Sequence, residues 1–425
     1  MQITELELEN FRCYKKLNLE LDSRLTVVVG ENGKGKTAVF DAIRMALAPA
    51  VEAFGFEAVK LLPKDSRRVP VYDEGTSYLV AMEHCWPVTI AMKGKTAVGQ
   101  EFSSLLQAEE DGQISFSGNL GQLSRKFYEA LKQDESKQLP VLAYYGTDRI
   151  WADSRLFITD ESRGRFLGYE EALEPTSSYH TFSKWFMEKS NDDSGVAARQ
   201  AVVEALNTCM RSTGLQNLRY NYALDTLVIE HPDFGELLVD DLSDGTRSII
   251  TMVADLAYRM SCLNPQLGEN TIKETEGLVL IDEVDMHLHP LWQQTILYDL
   301  LEAFPKVQFL VTTHSPQVLS TVPAHCIRAI YWDKGESMIK TFSFSLGAET
   351  SQILEQVQNV GSRPEFLPIV KELQEYLELV RLGEWDSERA KELRAKLDKW
   401  AQGNEPALLR ADMEIRLQQL RSRRK

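Results

Sequence analysis

Leu25-Thr26-Val27-Val28-Val29-Gly30-Glu31-Asn32-Gly33-Lys34-Gly35-Lys36-Thr37 runs from an apolar, β-branched segment into a glycine-rich turn. The segment reads as a fully buried strand. Lys36 to Leu47 follow with helical apolar spacing at Val39, Ile43, Met45 and Leu47, and Pro49 closes the run. The turn fits G-x-x-x-x-G-K-[ST] at every position and has the strand–turn–helix context that pattern requires. Glycines allow main-chain N–H groups to converge on phosphate oxygens, and the helix start adds partial positive charge. Lys36 suits β- and γ-phosphate oxygens, and the Thr37 hydroxyl suits Mg²⁺.

Working outward, Leu278-Val279-Leu280-Ile281-Asp282-Glu283 is a second buried strand, ending in adjacent carboxylates. Beside a phosphate loop, Asp282 is placed to hold Mg²⁺ opposite Thr37. Glu283 is placed to polarise an attacking water. A third strand, Val307–Thr312, leads into Thr313-His314-Ser315-Pro316. Leu242-Ser243-Asp244-Gly245-Thr246-Arg247 opens a helix over 245–262. There Ser243 or Asp244 reads either as a simple N-cap or as part of an anion-binding helix start.

In this order the motifs resemble the ABC-type ATPase superfamily, in its soluble RecF, SMC and OLD-type branch. The opening Ile3-Thr4-Glu5-Leu6-Glu7-Leu8-Glu9-Asn10-Phe11-Arg12-Cys13-Tyr14 and Glu283-Val284-Asp285-Met286-His287-Leu288-His289-Pro290 carry the same likeness. The resemblance covers residues 1–47 and 240–345. It implies an α/β fold: an ABC-type ATPase head with a mixed β-sheet flanked by helices, a mixed α/β insertion and a C-terminal helical extension. It further implies ATP and Mg²⁺ as cofactors, with Asn32, Gly33, Lys34, Gly35, Lys36 and Thr37 at the nucleotide. His314 becomes a switch residue facing the γ-phosphate. Ser243 and Gly245 become a signature that caps ATP held by a second subunit in a head-to-tail dimer or larger oligomer. His287 and Leu288 fall in the D-loop, so Asp285, His287 and His289 do not read as metal ligands. Signature position five is Thr246 where transporters carry Gln or Glu, and no Q-loop glutamine is assigned.

Tyr144-Tyr145-Gly146-Thr147-Asp148-Arg149, and Gly347 onward with Gly361-Ser362-Arg363-Pro364, look like the PtuA-type ATPases of Septu and retron-linked antiphage defence. That likeness implies a separate HNH-type nuclease as partner. The competing reading is a DNA-repair or chromosome-maintenance ATPase of the RecF/SMC kind that binds DNA directly. A fused nuclease of the OLD type is disfavoured, because the chain after His314 is mostly helix-patterned with no strand-linked Asp-x-Asp pair.

The organisation expected is 1–50 as the first part of the ATPase core and 51–240 as continued antiparallel sheet plus an inserted lobe. Residues 241–345 are the second part of the core, and 346–425 a helical region. Strands are expected at 77–82 and 88–92, joined at Trp86-Pro87, and at 218–222 and 226–230. The stretch 100–135 reads as helix or loop, and 291–304 as one helix. The aromatic group Tyr179 to Phe186 reads as core rather than a base-stacking platform. Arg163, Arg165 and the tail Arg421-Ser422-Arg423-Arg424-Lys425 are candidate phosphate contacts or solvated groups.

Net charge is −16, which argues against a broad nucleic-acid surface and leaves room for a local basic patch. The five cysteines are scattered without a CxxC pair, so neither zinc nor a disulfide framework is expected. No apolar run reaches membrane-helix length and no signal peptide opens the chain, giving a cytoplasmic expectation without membrane contact.

Overall fold

A computed structural model describes residues 1–73, 79–150, 161–175, 179–189, 195–361 and 363–422. The chain divides into two compact units, Met1–Ile353 and Leu354–Lys425.

The first unit is built on a six-stranded sheet. Its spatial order is Glu336–Lys340, Ile327–Asp333, Leu25–Val29, Val307–Thr312, Gly277–Ile281 and Val141–Tyr145. Neighbours are parallel except at the Glu336–Lys340 edge. Parallel strands need both faces covered, and Leu25–Val29, Val307–Thr312, Gly277–Ile281 and Val141–Tyr145 are buried along their whole length. The helices Lys36–Ala46 and Asp244–Leu263 are themselves mostly buried.

A second, antiparallel sheet has the order Tyr14–Glu20, Gln2–Phe11, Val88–Lys95, Glu101–Ala108 and Ile114–Gly118. Gln308 stitches the two sheets together. Its side-chain oxygen accepts from the Ile3 N–H at 2.8 Å, and its amide nitrogen donates to the carbonyls of Ile3 and Asp22, each at 2.7 Å. A polar side chain 1% exposed is tolerated inside a buried strand because these bonds replace water.

Several expectations are corrected here. Residues 100–135 contain the strands Glu101–Ala108 and Ile114–Gly118 before the helix Leu120–Gln133. Two of the four inward residues of Glu101–Ala108 are Ser104 and Ala108, which mutes the apolar alternation. Ser104 is satisfied by donating to the Ala46 carbonyl at 2.8 Å. The segments around Trp86-Pro87 lie in different sheets: Leu79–Cys85 pairs with Arg67–Tyr72, and Val88–Lys95 pairs with Gln2–Phe11. Residues 77 and 78 lie outside the described residues. The expected helix over 291–304 is two helices, Pro290–Gln293 and Ile296–Ala303.

The hairpin expected at 218–230 forms as Gln216–Asn221 and Thr226–His231, extended by Gly235–Leu238. Phe182 and Phe186 are buried, and Trp185 meets Tyr258 edge-on at 5.2 Å, so this group is core. The Tyr179 side chain lies outside the described residues. Arg165 is engaged within the chain. Its guanidinium donates to the carbonyls of Leu263, Glu135 and Lys137 at 2.7, 2.7 and 2.9 Å. The Arg163 side chain and residues 423–425 are outside the described residues.

The second unit holds the helices Pro368–Leu382, Glu388–Ala401 and Pro406–Ser422 around Leu373, Tyr376, Val380, Leu393, Leu397 and Leu408. Gly383 ends the first helix at φ 80°, and Ser387 caps the next by accepting from the Ala390 N–H. Arg363 grips Glu405 at 3.0 and 2.7 Å.

Gln308→Ala should remove the side-chain partner of three main-chain groups, two of them on buried Ile3, and cost roughly 2–5 kcal/mol. A shift of the urea midpoint to lower concentration, followed by fluorescence, checks it.

Candidate nucleotide site

The register of the central sheet assembles the site. Val28 pairs with Thr312, and Val311 pairs with Ile281. The ends of three adjacent parallel strands therefore lie side by side, with Thr312 between the glycine-rich turn and the acidic pair.

The helix Lys36–Ala46 begins at Gly35, whose φ is 93° and which supplies no side-chain cap. A Cβ there would sit 2.5 Å from the Cys13 sulfur and 2.6 Å from the Tyr14 hydroxyl. Only glycine fits both the dihedral and the space. Lys36 is buried, and its Nζ donates to the carbonyls of Gly30 at 2.9 Å and Glu31 at 3.2 Å. Burial pulls the Lys36 pKa down against the opposing pull of Asp282, Glu283 and Asp285. Asn32 and Gly33 are exposed in the turn, while Lys34 pairs with Glu31 at 3.6 Å.

The Thr37 hydroxyl donates to Asp282 Oδ2 at 2.6 Å. The other carboxylate oxygen of Asp282 accepts from the Thr312 hydroxyl. That same hydroxyl oxygen accepts from the Glu283 N–H at 2.7 Å. Glu283 has φ 48°, a left-handed conformation that costs a non-glycine residue roughly 1–2 kcal/mol. Arg149, only 2% exposed, donates to the carbonyls of Asp282 and Glu283 at 2.7 and 2.9 Å. Burial lowers its pKa to about 10, which still leaves it charged at neutral pH. Asp285 accepts from the Thr313 hydroxyl at 2.5 Å.

His314 lies within electrostatic reach of Lys36, Glu283, Asp285 and Asp282. Burial, then Lys36, holds its pKa below the usual histidine range, so the neutral imidazole prevails at neutral pH.

Ser243 is exposed and caps the helix Asp244–Leu263 by accepting from the Thr246 N–H; it also shares a 2.8 Å bond with the Thr246 hydroxyl. The simple N-cap is thus present, and the departure at position 246 contributes to it. Gly245 lies against the segment after the acidic pair: a Cβ there would stand 2.2 Å from the His287 carbonyl oxygen. Lys36, Thr37, Asp282, Glu283 and His314 are brought together, whereas Ser243 and Gly245 make their contacts with Thr246 and His287.

The donor set fits a magnesium nucleotide. A hydroxyl and a carboxylate oxygen already 2.6 Å apart are the oxygen ligands Mg²⁺ prefers. The uncapped helix start and the Lys36 ammonium suit a polyphosphate. Sequence reasoning quoted Thr312 and Arg149 without assigning either a role. Their bonds to the acidic strand end span 29 and 30 positions for Thr312 and 133 and 134 for Arg149, so no local pattern announces them.

Comparisons with known proteins bear on the family and the fold. A family model described as an AAA domain matches residues 5–201. Another, described as an AAA domain, putative AbiEii toxin, Type IV TA system, matches residues 114–320. The retron Ec83 probable ATPase of Escherichia coli is 25% identical, with 98% of this chain and 86% of that protein aligned. The Septu protein PtuA of Bacillus thuringiensis is 23% identical, over 88% of this chain and 89% of that protein. An Smc head, solved bound to the C-winged helix domain of ScpA, superposes with TM-score 0.50 at 17% identity, covering 81% of this chain and 98% of that one. That last likeness bears on fold. Among the described residues no helix is long and apolar enough to cross a membrane.

Thr312→Val should lower ATP turnover about 10- to 100-fold through misplacement of Asp282 and Glu283, and Thr312→Ser should recover most of it. Steady-state phosphate release by the two purified variants checks this.

The motifs and the mixed sheet are those of an ABC-type P-loop ATPase head, and the chain is similar to the retron ATPases and to Septu PtuA.

Proposed function

We propose that the chain binds ATP with Mg²⁺, closes head to tail around two nucleotides, hydrolyses them, and thereby regulates a separate HNH-type nuclease in antiphage defence. The observation that carries the reading is the 2.6 Å bond from Thr37 to Asp282, which joins the phosphate loop to the acidic strand end. In this reading Thr37 and Asp282 hold Mg²⁺, and Asn32, Gly33, Lys34, Gly35 and Lys36 surround the phosphates. Glu283 takes a proton from the attacking water, and neutral His314 donates or accepts a hydrogen bond at the γ-phosphate. The attacking oxygen bonds to γ-phosphorus as the bond to the ADP oxygen breaks.

Ser243 stands exposed at the start of a 20-residue helix. It is the group offered to ATP on another subunit, with Gly245 allowing the close approach. Closure is then favoured by the differential affinity of ATP for the closed pair. The defence role and the nuclease partner rest on the likeness to retron and Septu proteins. In the C-terminal unit, Leu409, Met413, Leu417 and Leu420 are all exposed on the helix Pro406–Ser422. Their helical spacing puts them on one face, a candidate seat for that partner.

Calorimetry and light scattering test this on the full chain. Lys36→Ala should lose the heat of MgATP binding. Glu283→Gln should keep it, lower turnover about 10²- to 10⁴-fold, and accumulate as an ATP-dependent dimer that a further Ser243→Arg change prevents. Absence of binding heat in the parent protein rejects the reading outright. An ATP-independent mass rejects the dimer.

A further inference from the structure

Arg149 occupies a junction that the motifs above do not account for. Four of its hydrogen bonds run to three parts of the chain. Nη1 donates to the Gly146 carbonyl at 3.0 Å and to the Asp282 carbonyl at 2.7 Å. Nη2 donates to the Glu283 carbonyl at 2.9 Å. Nε donates to the Ser248 hydroxyl at 3.0 Å. Ser248 is buried near the start of the helix that Ser243 caps. Arg149 itself follows the strand Val141–Tyr145, which pairs in register with Gly277–Ile281.

Two features make this more than packing. Glu283 is held in the left-handed region, and such a conformation persists only where its surroundings over-determine it. Here its N–H is taken by Thr312 and its carbonyl by Arg149, so the peptide that carries the carboxylate is fixed from both sides. The planar guanidinium also spans directions that an ammonium cannot serve together: two successive strand-end carbonyls on one side and a helix hydroxyl on the other.

We infer that Arg149 is a positioning residue for ATP hydrolysis, which sets the orientation of Glu283 and ties it to the start of the signature helix. The inference rests on the proposed catalytic reading. Under the head-to-tail arrangement, the tie runs from Ser243, which meets the neighbour's nucleotide, to the Glu283 that acts on the chain's own nucleotide. Arg149 acts through the main chain and touches neither substrate nor Mg²⁺.

The test separates positioning from folding and from binding. Full-length parent, Arg149→Lys, Ser248→Ala and the double variant are purified and their thermal melts recorded. Turnover is measured at saturating MgATP. Binding is measured by calorimetry with Glu283→Gln added to each, so that hydrolysis does not interfere. Arg149→Lys should lower kcat about 10- to 100-fold while the dissociation constant moves less than about threefold. Ser248→Ala, a one-atom deletion that leaves the carbonyl contacts in place, should lower kcat about three- to tenfold. Because both changes cut the same bond, the double variant should be no slower than Arg149→Lys. Parent-level kcat in folded Arg149→Lys, or a loss carried equally by binding, overturns the positioning role. A slow Arg149→Lys beside a Ser248→Ala of parent rate, or additive losses in the double variant, overturns the tie to the helix. If Arg149→Lys does not fold, Ser248→Ala decides alone, with unchanged kcat as the overturning result. A parent that binds MgATP but never hydrolyses it defeats the functional reading and this one with it.

Discussion

A buried carboxylate holds the site together. Asp282 is 2% exposed, and a carboxylate so placed needs hydrogen-bond partners in place of water. Two threonine hydroxyls meet it, one from each neighbouring segment of the site: Thr37 after the glycine-rich turn and Thr312 at the end of the intervening strand. Neither hydroxyl reaches unless the three strands keep their parallel register. A one-residue slip would turn Thr312 to the opposite face of the sheet. The polar bond and the apolar pleat thus specify the same alignment, and that agreement is what gives a single geometry.

The remaining charges follow from that arrangement. Lys36 faces Asp282, Glu283 and Asp285, with burial and acid attraction opposing each other in its protonation. Arg149 supplies a second cation behind the acidic strand end, spent on main-chain carbonyls. Acids and bases are thereby separated by role: carboxylates toward the place a metal and water would occupy, the guanidinium on the scaffold that orients them. Such separation is preorganisation in structural form, since the groups need not move to meet developing charge.

How much was legible in the sequence depends on how local each cause is. The phosphate loop was plain because Gly35 answers to a dihedral and a close contact that permit one residue type. The strand ending at Asp282 was plain because burial on both faces demands an unbroken apolar run. Ser104 and Ala108 hid a strand, because inward positions that bond to Ala46 or pack small look polar or neutral in isolation. Gln308 would be marked against a central strand by pattern alone, yet it is the clasp between the sheets. Thr312, Arg149 and Ser248 were invisible in role, since each acts through partners that only the fold makes neighbours.

On the proposed head-to-tail reading, the start of the helix Asp244–Leu263 would meet a ligand held by another subunit. Gly245 rests on the His287 carbonyl and Ser248 on Arg149. The helix is therefore pinned close to its beginning on two sides, to the segment after the acidic pair and to the peptides of Asp282 and Glu283. Ser243, beside the exposed Asp244, stays exposed at that end, and its hydroxyl is engaged with Thr246. An anion arriving there competes with a local cap rather than with buried structure, a difference of about 1 kcal/mol rather than several. Whatever displacement it causes is resisted at Gly245 and Ser248, both of which lead back to the acidic strand end. On that reading, a pinned helix with one soft contact at its tip would pass a displacement on where a freely capped helix would absorb it.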